Sequence, residues 1–481
     1  MSQSLVNVAS VLEVFALLFS NHWVRRWQKA WTKQHALTLR GRASQRCRTK
    51  KKKKKSSGSR FYQRIFSLRV TLWYLIFQRL QFDPTMAAVV SNLRAGGADR
   101  LGGRGRKLSR KIRSTRTSAY NQARQRLPME LLQGALAHLG KAIIKWVRWE
   151  RPRQILDGST LAVLLTGSLA KAYPPARNQN GASDWCVMRI VVGFCARSGA
   201  VLSAIEGAVQ RSEQALAWEL MEKAVRLTIW IGDRNFGVWS VVAQAVRYKQ
   251  DVLVRLTKAR ATTLCMGRPL HSGEQRLIKW SPSRHDQVAP GTERCAISGR
   301  LIYVRLKKNG SWIDLWLFTT LDAKEYPMAL LIEWYAQRWQ AELHFRSVKT
   351  QMKMAELNVC TAQMARKEFY TGLLAYSLVR LVMWKAGERL EAGVKAISFS
   401  QARRVLLKYL EDWGRSLGAG AKGFDAWIGA LLEEIAQHTL PKRRKQRPSE
   451  IRRVRHRRQE FPTFKGSRAA ARARLLTTKS L

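Results

Sequence analysis

The chain has 481 residues, long enough for two to four domains, and 46% of them are hydrophobic, which excludes wholesale disorder. Against 32 Asp and Glu stand 87 Lys and Arg, a net charge of +55 that exceeds any need of solubility and asks for a polyanionic partner. Six scattered cysteines without a C-x-x-C pair exclude a disulfide scaffold, and eight histidines without an H-x-x-x-H pattern argue against a structural zinc site.

The excess charge sits at the ends: residues 1–153 carry a net +29 and residues 442–481 a net +13. Residues 1–45 read as helical. Their apolar stretch Leu5–Ser20 contains Glu13, and the later stretch Ile65–Phe77 contains Arg69; both are too short to cross a bilayer. No basic segment precedes the first stretch and no clean cleavage site follows it, so neither a membrane span nor a signal peptide is expected. The run Lys50–Lys55 and the segment Ser56-Ser57-Gly58-Ser59 read as a solvated linker, because adjacent lysines repel and cannot pack. A second apolar helix covers about Phe61–Leu80, a Gly/Arg-rich stretch runs from Ala95 to Lys107, and helix resumes over Pro128–Trp149. Basic residues mixed with Trp23, Trp27, Trp31, Trp73 and Tyr74 suit a helical DNA-binding region; the same aromatics serve equally as the core of a small bundle.

From residue 154 the texture changes. A strand begins at Gln154-Ile155-Leu156-Asp157, a hairpin-like pair covers Val187–Cys195 and Gly199–Ile205, and Ser212–Lys223 is an amphipathic helix. A buried strand Leu227–Gly232 ends at Asp233, then come a helix over Phe236–Tyr248 and a strand over Asp251–Leu256. Three strands, helix, strand, helix, strand is the order of an α/β (α+β mixed-sheet) RNase H-like core. Residues 257–320 read as a β-rich insertion, with runs Arg300–Leu306 and Trp312–Thr319 joined across Asn309-Gly310, a hairpin signal. Helices follow over Tyr326–Met354, Lys367–Trp384, Ser400–Trp413 and Gly423–Gln437, and the basic tail has no apolar periodicity.

The chemistry concentrates on one helical segment. Wound at 100° per residue, Tyr335, Arg338, Glu342, Arg346 and Lys349 fall on a single stripe, with one acid among three cations and a phenol. A lone Glu–Arg pair on such a face is ordinary surface chemistry; this composition suits a track for phosphates beside a metal-binding carboxylate. Such a carboxylate needs partners, since two hard cations about 4 Å apart take oxygen ligands to clamp the attacking and leaving oxygens. Asp157, after the apolar pair of the first strand, and Asp233, at the end of a buried one, are the candidates. Asp233 reads alternatively as the cap of the following helix.

The spacing Tyr335-x2-Arg338-x3-Glu342-x6-Lys349 resembles in full the Y-(2)-R-(3)-E-(6)-K signature of a large group of bacterial insertion-sequence DDE transposases. Leu156-Asp157-Gly158-Ser159-Thr160 and Gly232-Asp233-Arg234-Asn235-Phe236-Gly237 are similar to the flanking acidic motifs of that group, and the resemblance covers roughly residues 150–385. It implies that Asp157, Asp233 and Glu342 hold two Mg²⁺ ions, with Mn²⁺ a possible substitute, for strand cleavage and strand transfer. Tyr335, Arg338 and Lys349, with Arg346 and Arg234 in support, would position phosphates. Trp316 in the insertion would stack on a flipped base; Trp312 is the fallback, and a core Trp is the alternative for the former. The resemblance further implies double-stranded DNA as partner, at element ends and target, a homodimer on that DNA, no membrane, and a bacterial cytoplasm with the nucleoid as location.

The domain reading is therefore a basic helical DNA-binding region over 1–150 and an RNase H-like catalytic domain over 151–385. A helical region over 386–440 and a basic tail over 441–481 complete it. Another RNase H-like nuclease and an inactive DNA-binding relic are the rival functions.

Overall fold

The computed structural model describes residues 11–34, 65–102, 107–147, 151–178, 181–308, 311–391, 393–416 and 420–441, with Trp149 and four positions between 467 and 473. The run Lys50–Lys55 and its serine-glycine segment, the centre of the Gly/Arg-rich stretch, Asn309-Gly310 and nearly all of the tail from Lys442 lie outside the described residues. The chain divides into two compact units, Met1–Leu440 and Pro441–Leu481; every element below belongs to the first.

Among the described residues six α-helices precede the sheet: α1 (Val11–Leu18), α2 (Asn21–Gln34), α3 (Leu68–Leu80), α4 (Met86–Arg94), α5 (Ser118–Arg126) and α6 (Met129–Val147). α3 starts at Leu68 rather than Phe61, because the Ser67 hydroxyl accepts the Val70 N–H as a cap. Apolar on all sides, α3 is buried along its length except at Arg79, as a helix without a polar face must be. Trp73 and Tyr74 are fully enclosed, the Trp73 ring lying 5.2 Å from that of Phe15. They are core. Trp23, Trp27 and Trp31 are half-buried.

Among the described residues ten strands then build one sheet: β1 (Arg153–Val163), β2 (Pro175–Asn178), β3 (Gly181–Cys195), β4 (Val201–Ala208), β5 (Ile229–Gly232), β6 (Asp251–Arg255), β7 (Glu274–Trp280), β8 (Ile297–Lys308), β9 (Ser311–Thr319) and β10 (Glu356–Leu357). Helix α7 (Gly167–Ala172) follows β1, α8 (Glu213–Lys223) follows β4, α9 (Trp239–Arg247) follows β5 and α10 (Lys258–Leu264) follows β6. The central order β4-β3-β1-β5-β6 has β3 antiparallel to β1 and β4, and β1, β5 and β6 mutually parallel. This is the RNase H-like arrangement. The β-rich stretch after β6 prolongs the same sheet, because β9 pairs antiparallel with β6 and carries β8 and β7 outward.

Alternation along the strands sends residues to two cores. Leu156 and Trp230 pack with the side chains of α8 and α9, whereas Ile155, Ile229 and Ile231 face the opposite layer. That layer includes α11 (Met328–Ala336), α12 (Gln340–Arg346), α13 (Ala362–Gly387), α14 (Phe399–Ser416) and α15 (Gly420–Gln437). The expected single helix Tyr326–Met354 is interrupted twice. Gln337–Trp339 tightens to a 3₁₀ turn and Ser347–Gln351 widens to a π turn, a departure common where a helix carries function.

α13 is the central post. Its Glu368, buried, pairs with both Arg79 of α3 and Arg124 of α5. Arg403 of α14, also buried, donates to the Leu80 carbonyl at 2.8 Å and the Gln81 carbonyl at 2.7 Å, satisfying groups at the end of α3. No helix among the described residues is long and apolar enough to cross a membrane.

Candidate active site

The parallel register sets Leu156 of β1 opposite Gly232 of β5, so Asp157 and Asp233 are the next residues on adjacent strands. The Asp157 side chain is 16% exposed and accepts the Gly158 N–H at 2.9 Å. Asp233 opens a turn. Its Oδ1 accepts the Asn235 N–H at 2.9 Å, and its carbonyl accepts from Phe236 and Gly237. The residue that caps α9 is Val238, so Asp233 is not the helix cap.

The third acid arrives from the opposite layer. Ala341 and Phe345 of α12 are buried in the core that holds Ile155, and Phe345 meets the Phe194 ring at 5.2 Å. Glu342 therefore points away from that core and is 57% exposed. Between the acids lies Arg338, itself buried: one guanidinium nitrogen is 3.3 Å from Glu342 and the other 3.9 Å from Asp157. The Arg338 guanidinium also covers the Trp339 ring, 4.8 Å from its centroid.

Burial pushes the Asp157 carboxyl up to about 6; Arg338 opposes that shift, whereas the charges of Asp233 and Glu213 reinforce it. Glu213, the first residue of α8, is likewise raised by burial and by Asp233. Burial lifts the Tyr335 phenol to about 12, against the nearby cations Arg338, Arg255 and Arg234. Lys349 is depressed by burial.

The structure thus sets Asp157 and Glu342 on the two nitrogens of the Arg338 guanidinium, with Asp233 in the electrostatic neighbourhood of Asp157, and Arg338, Asp233 and Arg234 in that of Tyr335. The single stripe does not survive. Tyr335 and Arg338 are buried, Glu342 and Arg346 are exposed, and Lys349 is half-buried in the π turn, because the two interruptions change the rotation per residue. Trp316 is a core residue: it is 9% exposed, and Tyr303 stacks on it at 4.0 Å and 17°, leaving that ring face covered. Trp312, near the hairpin end, is 58% exposed with Arg305 and Lys307 at 5.4 and 6.0 Å from its ring.

Sequence reasoning missed three neighbours of the site. Arg255 closes β6 and acts on Tyr335, but an Arg after an apolar run carries no spacing signal. Trp339 is 48% exposed under the Arg338 guanidinium. Glu213 reads in sequence as the opening residue of an amphipathic helix and nothing more.

Residues 148–378 match the family model described as a transposase DDE domain. The core of this chain is a transposase DDE domain. The chain is also 25% identical over 305 residues to the transposase InsG for insertion sequence element IS4 of Escherichia coli (strain K12), covering 61% of this chain and 67% of that protein. Within the DDE domain, Asp157, Asp233 and Glu342 offer only carboxylate oxygens, the donors that hard cations take. Asp157, raised by burial and two acidic neighbours, is a carboxylate whose charge a cation would stabilise. Among the described residues no three His, Cys, Asp or Glu side chains are gathered to hold a metal, and Arg338 separates Asp157 from Glu342.

Proposed function

We propose that this transposase binds the terminal inverted repeats of an insertion sequence, cleaves there, and transfers the freed 3′ end to target DNA. The observation that carries the reading is the chain Asp157–Arg338–Glu342 beside Asp233, on three elements of a DDE domain. Asp157, Asp233 and Glu342 would hold two Mg²⁺ ions, for which Mn²⁺ can substitute. Bound there, such ions lower the pKa of an attacking hydroxyl and stabilise a leaving oxygen.

The remaining roles belong to the chain. Arg338 ties the helix bearing Glu342 to β1, so the acids approach the substrate from two layers on a common support. Arg338, Lys349 and Tyr335, with Arg346, Arg234 and Arg255, orient the phosphates of the cut strand. Trp312 takes the stacking role expected of Trp316, since an exposed ring between two cations fits an unpaired base beside its phosphate. Joining two ends asks for two active sites, hence a homodimer assembled on DNA, in association with the nucleoid.

The test uses the element's own ends. With Mg²⁺, a pre-cut terminal repeat and a supercoiled target, the full chain yields joined products. Nicks without joining would reduce it to a nuclease, and repeat binding with neither would make it a DNA-binding relic.

A further inference from the structure

Glu213 stands behind the two aspartates without facing the substrate side. Along β1 successive side chains alternate, so Asp157 shares the face of Ile155 and the layer of Glu342, while position 158 faces the layer of α8. A Cβ placed on Gly158 would lie 2.2 Å from the Glu213 carboxyl carbon. Gly158 is thus a seat: its missing side chain is the space the Glu213 carboxylate occupies.

From that seat Glu213 reaches the turn that carries Asp233. Asn235 Nδ2 donates to Glu213 Oε2 at 2.6 Å, and Gln214 Nε2 donates to Asn235 Oδ1 at 2.7 Å and to its carbonyl at 3.0 Å. The first two residues of α8 therefore hold Asn235 by its side chain and its carbonyl. Its backbone N–H then donates to Asp233 Oδ1 at 2.9 Å. The other end of the turn is wedged, because a Cβ on Gly237 would come 2.1 Å from the Arg255 carbonyl oxygen.

We propose that Glu213 is a positioning residue for Asp233: seated on Gly158, it fixes Asn235, and Asn235 aims the Asp233 carboxylate for its cation. This rests on the reading of Asp233 as a cation ligand. Partners one shell beyond a ligating carboxylate orient it, and their loss typically weakens metal binding by 10- to 100-fold. The Glu213 link is made by an acceptor oxygen, which an amide also supplies.

The experiment is calorimetric titration of the full chain with Mn²⁺ alone, without DNA, with melting curves to show that each variant is folded. Glu213→Ala and Asn235→Ala should each weaken Mn²⁺ binding by about tenfold or more. The double variant should be no weaker than the weaker single one, because both break one chain. Glu213→Gln should stay within about fivefold of wild type, its amide oxygen still accepting from Asn235. Gly158→Ala should reproduce the Glu213→Ala loss by pushing the carboxylate off its seat. Wild-type affinity in Glu213→Ala, additive losses in the double variant, or Glu213→Gln as weak as Glu213→Ala would each overturn the proposal. Asp233→Asn separates the two levels: if it binds Mn²⁺ as wild type does, the reading of Asp233 as a ligand has failed, whatever Glu213 does.

Discussion

Asp157 is the residue at which stability and the proposed function oppose each other most clearly. Its carboxyl, raised to about 6 against an unfolded value near 4, is held in charged form at neutral pH at a cost of up to about 3 kcal/mol. The sign follows from the direction of the shift. The native state keeps a proton that the unfolded chain loses between about pH 4 and 6, so stability falls as pH rises through that window. In chelator, Asp157→Asn should therefore melt above wild type at pH 7.5, with the gain gone near pH 4; an equal gain at both would remove the carboxylate's charge as the cause. The two tryptophans of the insertion separate in the same way. Trp316→Ala should cost about 3–5 kcal/mol in urea unfolding, as the loss of a packed aromatic does. Trp312→Ala should stay within about 0.5 kcal/mol and instead lower strand transfer. Sequence could name both rings but not divide them. The alternation of β9 sets Trp312, Asp314 and Trp316 on one face, and only distance from the sheet's root makes the first exposed and the last buried.

At the scale of elements, apolar runs made β1, β3, β5 and β6 legible, since strands buried on both faces leave an uninterrupted signal. The short edge strands β2 and β10 lacked one, and β7 carries Leu277 at 75% exposure, so its pattern reads as loop. The helix bearing Glu342 was legible as helix, but not its 3₁₀ and π turns, which no residue type in the segment announces. The charged post on α13 was invisible for another reason: Glu368 lies 289 residues from Arg79 and 244 from Arg124 in sequence. Glu368→Ala would leave the buried Arg124 and the half-buried Arg79 without their carboxylate, and should destabilise the chain by about 3–5 kcal/mol in denaturant unfolding. A cost below about 1 kcal/mol would make the cluster a solvated surface contact.

Across the whole molecule, charge and chemistry are apportioned differently along the chain. The acids of the site lie within the DDE domain, whereas 42 of the 55 excess charges lie in residues 1–153 and 442–481. A tail with net +13 and no apolar periodicity suits contact with phosphates rather than with bases. Each phosphate it neutralises contributes about −0.9 to the slope of log affinity against log salt on duplex DNA. Deleting residues 442–481 should flatten that slope and weaken cognate and random DNA alike in anisotropy titrations. Loss confined to cognate ends would make the tail a reader of sequence. The catalytic claim has a more direct test in Glu342→Gln, measured for Mg²⁺-dependent nicking and for binding on the same end DNA. The account predicts binding as in wild type and no nicking above background; nicking near the wild-type rate would contradict it.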